Sequence, residues 1–169
     1  MKNTGIYPGT FDPVTLGHID VIKRALKIVK KLVIAVSNDS SKDYLFSADE
    51  RVIIIKKAIY DDLRISKKNV QVLSFNTLTT SLCKKLGAKI IFRGLRAVSD
   101  FEYEFQLAGM NRQLNNKVET VFLMSDVENQ VISSKFVKEI ANLGGNIDNF
   151  VTKSTNKAIK MKIWLKKHY

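Results

Sequence analysis

Gly9-Thr10-Phe11-Asp12-Pro13-Val14-Thr15-Leu16-Gly17-His18-Ile19-Asp20 places a hydroxyl, two glycines and a histidine where a strand hands over to a helix. Upstream, Ile6-Tyr7 ends a short buried strand, and Pro8, Gly9 and Pro13 punctuate the loop. From Thr15 onward Leu16, Ile19, Ile22, Leu26 and Val29 recur at helical spacing. Thr15 and His18 therefore share a face of the first turn, where unpaired backbone N–H groups attract anions. The stretch predicts a site for a nucleotide phosphate.

Outward from it, short β-branched runs alternate with amphipathic segments, the pattern of parallel strands joined by crossover helices. The expectation is one α/β domain over 1–169, a Rossmann-like five-stranded parallel sheet with helices on both faces. Leu32-Val33-Ile34-Ala35-Val36 reads as the second strand, and Ser47-x-x-Glu50 as a capping box opening a helix through Ile59. A strand follows at 70–75, then a helix at 78–86 stopped by Gly87, then a strand at Ile90-Ile91-Phe92. Ser99-x-x-Glu102 is expected to cap a helix toward Leu114. A fifth strand runs 120–124, a helix starts near Ser133 or Ser134, and a terminal helix spans about 155–168.

Composition narrows the function classes. The formal charge is +12, yet 22 of the 28 basic residues are lysines scattered in pairs such as Lys56-Lys57 and Lys84-Lys85, as on solvated faces. No nucleic-acid partner is expected. The longest aliphatic runs, 32–36 and 52–55, are far below spanning length, and the N-terminus lacks the apolar core of a signal peptide, so the reading is cytoplasmic with no membrane partner. Cys83 is the sole cysteine, which excludes an internal disulfide and a cysteine-based zinc cluster. There is no Walker-type phosphate loop, no Ser-His-Asp arrangement and no paired metal-binding histidines.

Thr15-x-Gly17-His18 together with Ile132-Ser133-Ser134 resembles the paired signatures of the nucleotidyltransferase superfamily. Tyr7-Pro8-Gly9-Thr10-Phe11-Asp12-Pro13, Arg93-Gly94-Leu95-Arg96-Ala97 and Asp100-Phe101-Glu102-Tyr103-Glu104 look like the bacterial phosphopantetheine adenylyltransferase family, along nearly the whole chain and in the same order. The resemblance implies transfer of the adenylyl group of ATP to 4'-phosphopantetheine, giving dephospho-coenzyme A and pyrophosphate. It implies magnesium held mainly by the phosphates, a homohexamer, and coenzyme A as a feedback ligand.

Carried over by position, Thr10, Lys42, Thr79 and Arg93 would hold phosphopantetheine. Thr10, Phe11, His18, Gly94, Leu95, Arg96, Glu104, Asn129, Gln130, Val131, Ile132, Ser133, Ser134 and Lys135 would contact ATP. His18 would stabilise the transition state, with Lys42 and Arg93 in support. Four positions depart from the family pattern: Asp43-Tyr44 after Lys42, Thr79 in place of an aliphatic residue, Asn129 in place of tryptophan, and Lys135 in place of Ser or Thr. The rival readings are a nucleotidyltransferase for another phosphorylated acceptor, such as nicotinamide mononucleotide or glycerol phosphate, and a non-catalytic nucleotide- or RNA-binding module. Asp12 reads as a turn-stabilising residue beside Pro13.

Overall fold

The computed structural model describes residues 3–41, 43–96 and 98–168, the side chains of Val98, Ser99, Asp100, Val127 and Lys167 excepted. Five parallel strands, β1 (Thr4–Gly9), β2 (Lys31–Ser37), β3 (Val70–Phe75), β4 (Ile90–Leu95) and β5 (Glu119–Met124), lie in the order β3-β2-β1-β4-β5. The helices are α1 (Leu16–Ile28), α2 (Ala48–Lys56), α3 (Thr79–Leu86), α4 (Val98–Leu114), α5 (Ser134–Asn142) and α6 (Lys153–His168).

The sheet is buried on both faces because its strands alternate between two cores. Ile34, Val36 and Phe92 face a core shared with Ile22 and Ala25 of α1, Ile55 of α2, Val137 of α5 and Ile159 of α6. Ile6, Val33, Ala35 and Ile91 point the other way, against Leu82 and Cys83 of α3. Cys83 is fully buried there, and burial pushes its thiol up to about 11.

Several boundaries differ from the sequence reading. The helix opened by Ser47 and Glu50, whose side chains cap each other's backbone N–H, does not end at Ile59: α2 widens into a π-helical turn, Lys57–Asp62. Ser99 lies inside α4, which begins at Val98, so it is not the residue that precedes the helix. Arg93, Gly94 and Leu95 belong to β4 rather than following it. Gly87 ends α3 at φ 64°, as its lack of Cβ allows, and Ala88 N–H closes the turn onto Cys83 O at 2.9 Å.

The strand order reverses between β1 and β4, and these two strands part early. They pair only at Gly5↔Ile90 and Ile6↔Ile91, whereas β1 pairs with β2 along its full length. Pro8 has no N–H to offer a ladder. The gap beyond Ile6 opens at the carboxyl ends of the strands, where open α/β sheets bind ligands.

Candidate active site

The gap leads into a cleft of about 390 Å³ whose walls come from β1 and its following loop, the first turn of α1, the end of β4, α4 and the start of α5. Of the residues expected from the sequence, Thr10, Phe11, His18, Arg93, Gly94, Arg96, Glu104, Ile132, Ser133, Ser134 and Lys135 line it together. Thr79 does not: it sits at the start of α3 outside the lining. Leu95 is buried in β4 and Val131 is 76% exposed; neither lines the cleft. Asn129 and Gln130 also fall outside the lining, with Gln130 donating to Ser125 O. Lys42 lies outside the described residues.

His18 is the third residue of α1, and it turns back on the helix cap. Thr15 N–H donates to His18 Nδ1 at 3.0 Å, and Thr15 Oγ1 lies 2.9 Å from the same nitrogen. Nδ1 is thus the acceptor, and the ring proton resides on Nε2. Burial, followed by the charge of Arg96, lowers His18 to about 4, so the ring is a neutral donor at physiological pH. Phe11 packs against it, with ring centroids 5.0 Å apart, and holds a left-handed backbone at φ 51°. That conformation is costly for a residue with a Cβ and persists only where the surroundings enforce it.

Arg93 is fixed rather than loose. Its Nε and Nη2 donate to Glu104 Oε2 and Oε1, and its Nη1 donates across the sheet gap to Pro8 O at 2.9 Å. Glu104 is therefore not the exposed helix glutamate that its sequence setting allows: it is 8% exposed and paired. The serines are engaged as well. Ser133 Oγ accepts from Phe136 N–H and caps α5, while Ser134 Oγ donates to Pro13 O.

Asp12 does more than stabilise a local turn. It is 2% exposed, accepts N–H bonds from Leu45 and Phe46, and pairs with Lys138 at 2.8 Å. Sequence reasoning missed this long reach and missed Arg51 altogether. The available signal was an arginine beside the aliphatic run 52–55, directly after a capping box.

With Asp12 and Glu104 each neutralised by a cation, the cleft places Arg96, Lys135 and the positive end of the α1 dipole beside a ligand, a setting for phosphates, although Leu16 N–H already donates to Phe150 O and His18 N–H to the Thr15 side chain. Residues 6–140 match the cytidylyltransferase-like family. The phosphopantetheine adenylyltransferase of Pelagibacter ubique is 64% identical over 96% of this chain and 99% of its own length. That of Rhizorhabdus wittichii is 54% identical over 89% of this chain and 88% of its own. The chain belongs to the phosphopantetheine adenylyltransferase family.

Among solved structures, a candidate nicotinate-nucleotide adenylyltransferase from Vibrio parahaemolyticus superposes with a TM-score of 0.71 at 17% identity, covering 97% of this chain and 96% of that one. A bifunctional NMN adenylyltransferase/ADP ribose pyrophosphatase from Francisella tularensis gives 0.72 at 14% identity over 95% of this chain and 50% of its own. At such identities the likeness speaks for the fold alone, and it is the fold expected from the alternating strands and helices. Among the described residues no helix is long and apolar enough to cross a membrane.

Proposed function

We infer that the protein transfers the adenylyl group of ATP to 4'-phosphopantetheine, giving dephospho-coenzyme A and pyrophosphate. The family assignment supports the acceptor, and the observation that carries the chemistry is a neutral His18 at the N-terminus of α1 with only Nε2–H left to donate.

An oxygen of the acceptor phosphate, already ionised, forms a bond to the α-phosphorus of ATP in line with the departing oxygen. The bond to that oxygen breaks, and its electron pair leaves with pyrophosphate. No covalent enzyme intermediate and no general base is needed, so the protein's contribution is positioning and charge stabilisation. His18 Nε2–H donates to an α-phosphate oxygen as charge builds there, an interaction that typically supplies ~3 kcal/mol.

Arg96 and Lys135 take the β- and γ-phosphates, with Ser133 and Ser134 at the start of α5 beside them. Arg93, Thr10 and Lys42 hold the acceptor. The cleft's two carboxylates are already paired with Arg93 and Lys138, so its free capacity suits phosphates better than a bare divalent cation. Magnesium fits as a companion of the ATP phosphates, where it would neutralise charge on the leaving group, and chelation is expected to stop turnover. Coenzyme A, which contains the product's skeleton, fits the same reading as a feedback ligand. So does a homohexamer: Phe101, Tyr103, Phe105, Met110 and Leu114 are exposed along α4, and light scattering of the purified protein tests it.

Incubation with ATP, magnesium and 4'-phosphopantetheine, followed by mass spectrometry, tests the reaction. Equal amounts of pyrophosphate and dephospho-coenzyme A are expected. Turnover with nicotinamide mononucleotide or glycerol phosphate alone would overturn the acceptor assignment.

A further inference from the structure

Arg51 is 1% exposed and buries a guanidinium that, among the described residues, pairs with no carboxylate. Its hydrogen bonds go instead to four backbone carbonyls. Nε donates to Phe46 O at 3.1 Å and to Ser47 O at 3.3 Å; Nη1 donates to Ser37 O at 2.9 Å and to Thr10 O at 2.8 Å. Ser37 ends β2, and Phe46 and Ser47 lead into α2, so one side chain ties together both ends of the loop 38–45. Thr10 O ties that loop to the floor of the cleft.

Thr10 O belongs to the peptide that joins Thr10 to Phe11, the residue held at φ 51°. The bond from Arg51 fixes the plane of that peptide. It thereby sets the direction of the Thr10 side chain on one side and keeps Phe11 in its left-handed conformation under His18 on the other. Asp12 reinforces the arrangement from the far side, through Leu45 and Phe46. The ring of Tyr44 lies 4.1 Å over the guanidinium and shields it from solvent.

Stability alone does not account for this choice of residue. Arg51 Nη2 and Tyr44 OH are both buried without a hydrogen-bond partner, a cost that a well-packed apolar residue would avoid. Local rules are broken in this way where geometry matters to a site. Among the described residues, the hydrogen bonds of Arg51 reach none of β4, α4 or α5, the elements that line the opposite wall.

We propose that Arg51 is a positioning residue that sets the acceptor side of the cleft, by holding the end of β2 at Ser37, the lead into α2 at Phe46 and Ser47, and the Thr10–Phe11 peptide in one geometry. This rests on Thr10 and Lys42 holding the acceptor, as in the proposed function. A lysine keeps the charge but loses the planar fork that reaches several carbonyls at once.

The test compares Arg51→Lys and Tyr44→Ala with the wild type by steady-state kinetics, by calorimetric binding of ATP alone and by thermal melting. Arg51→Lys is expected to raise the KM for 4'-phosphopantetheine roughly tenfold. Its ATP affinity should fall by less, about threefold at most, because Thr10 and Phe11 are also expected nucleotide contacts whereas Arg96 and Lys135 are not tied to Arg51. Tyr44→Ala, which uncovers the guanidinium without removing it, should shift the acceptor KM in the same direction by less. If Arg51→Lys does not fold, Tyr44→Ala decides. Equal weakening toward both substrates, or none toward either in a folded variant, would overturn the proposal and leave Arg51 as a stabilising residue only. A wild-type protein without turnover on this acceptor would overturn the acceptor assignment and the inference with it, before any variant is compared.

Discussion

Arg93 and Glu104 meet in a two-bond ion pair, Nε to Oε2 at 2.6 Å and Nη2 to Oε1 at 2.5 Å, that joins β4 to α4 across the edge of the cleft. Burial by itself would depress the Arg93 guanidinium, but the bonds and charge of Glu104 outweigh it and hold the group above its usual range. Glu104→Ala leaves that cation buried without its partner, and such a loss costs about 3 kcal/mol. The expected result is a lower urea midpoint, partly recovered by added 4'-phosphopantetheine, whose phosphate supplies the missing negative charge. A variant as stable as the wild type would show the pair to be incidental.

His18→Ala should lower kcat by roughly two to three powers of ten while leaving the KM of both substrates within about threefold, because the donor acts chiefly on charge that develops in the transition state. Weakened binding with unchanged turnover would remove the histidine from the chemistry.

The protonation of His18 can be read directly. Its folded value lies near 4, below the usual 6.5, because of burial and then Arg96. The unfolded chain therefore binds the extra proton first, and stability that is fully present above pH 6.5 declines as pH falls toward 4. In an NMR titration, the imidazole C–H signal that vanishes in His18→Gln should titrate near 4. A midpoint at 6 or above would mean a charged donor and a different account of the site.

Gly87→Ala tests a local backbone requirement. At φ 64° nothing lies within 4 Å of the position a Cβ would take, so the cost is conformational rather than steric crowding by neighbours. A loss of about 1 kcal/mol is expected, read as a lower melting temperature with native activity. No loss would place the end of α3 in another conformation.

Much of this was legible in the chain. The fold follows from β-branched runs such as 32–36 alternating with amphipathic helices, since each strand must bury both faces. The Ser47–Glu50 cap and the Gly87 stop act within a few residues of themselves, so local sequence suffices to find them. His18 was legible for the same reason: its partner Thr15 is three residues away. What escaped the sequence acts at a distance. Arg51 meets Thr10 across 41 positions and Asp12 meets Lys138 across 126, and no periodicity encodes such pairings. Glu104 reads as an exposed helix residue until β4 brings Arg93 against it, and Thr79 shares the sheet's carboxyl edge with the other candidates yet falls outside the cleft.

The burial of Cys83 gives the protein an internal clock. A thiol that is inaccessible and held mostly protonated reacts with a disulfide reagent only when the layer between α3 and the sheet comes apart. With no second cysteine to compete, the labelling rate measured under native conditions reports how often that layer opens, and the same measurement with ATP bound reveals whether a ligand at the strand ends steadies the opposite face of the sheet.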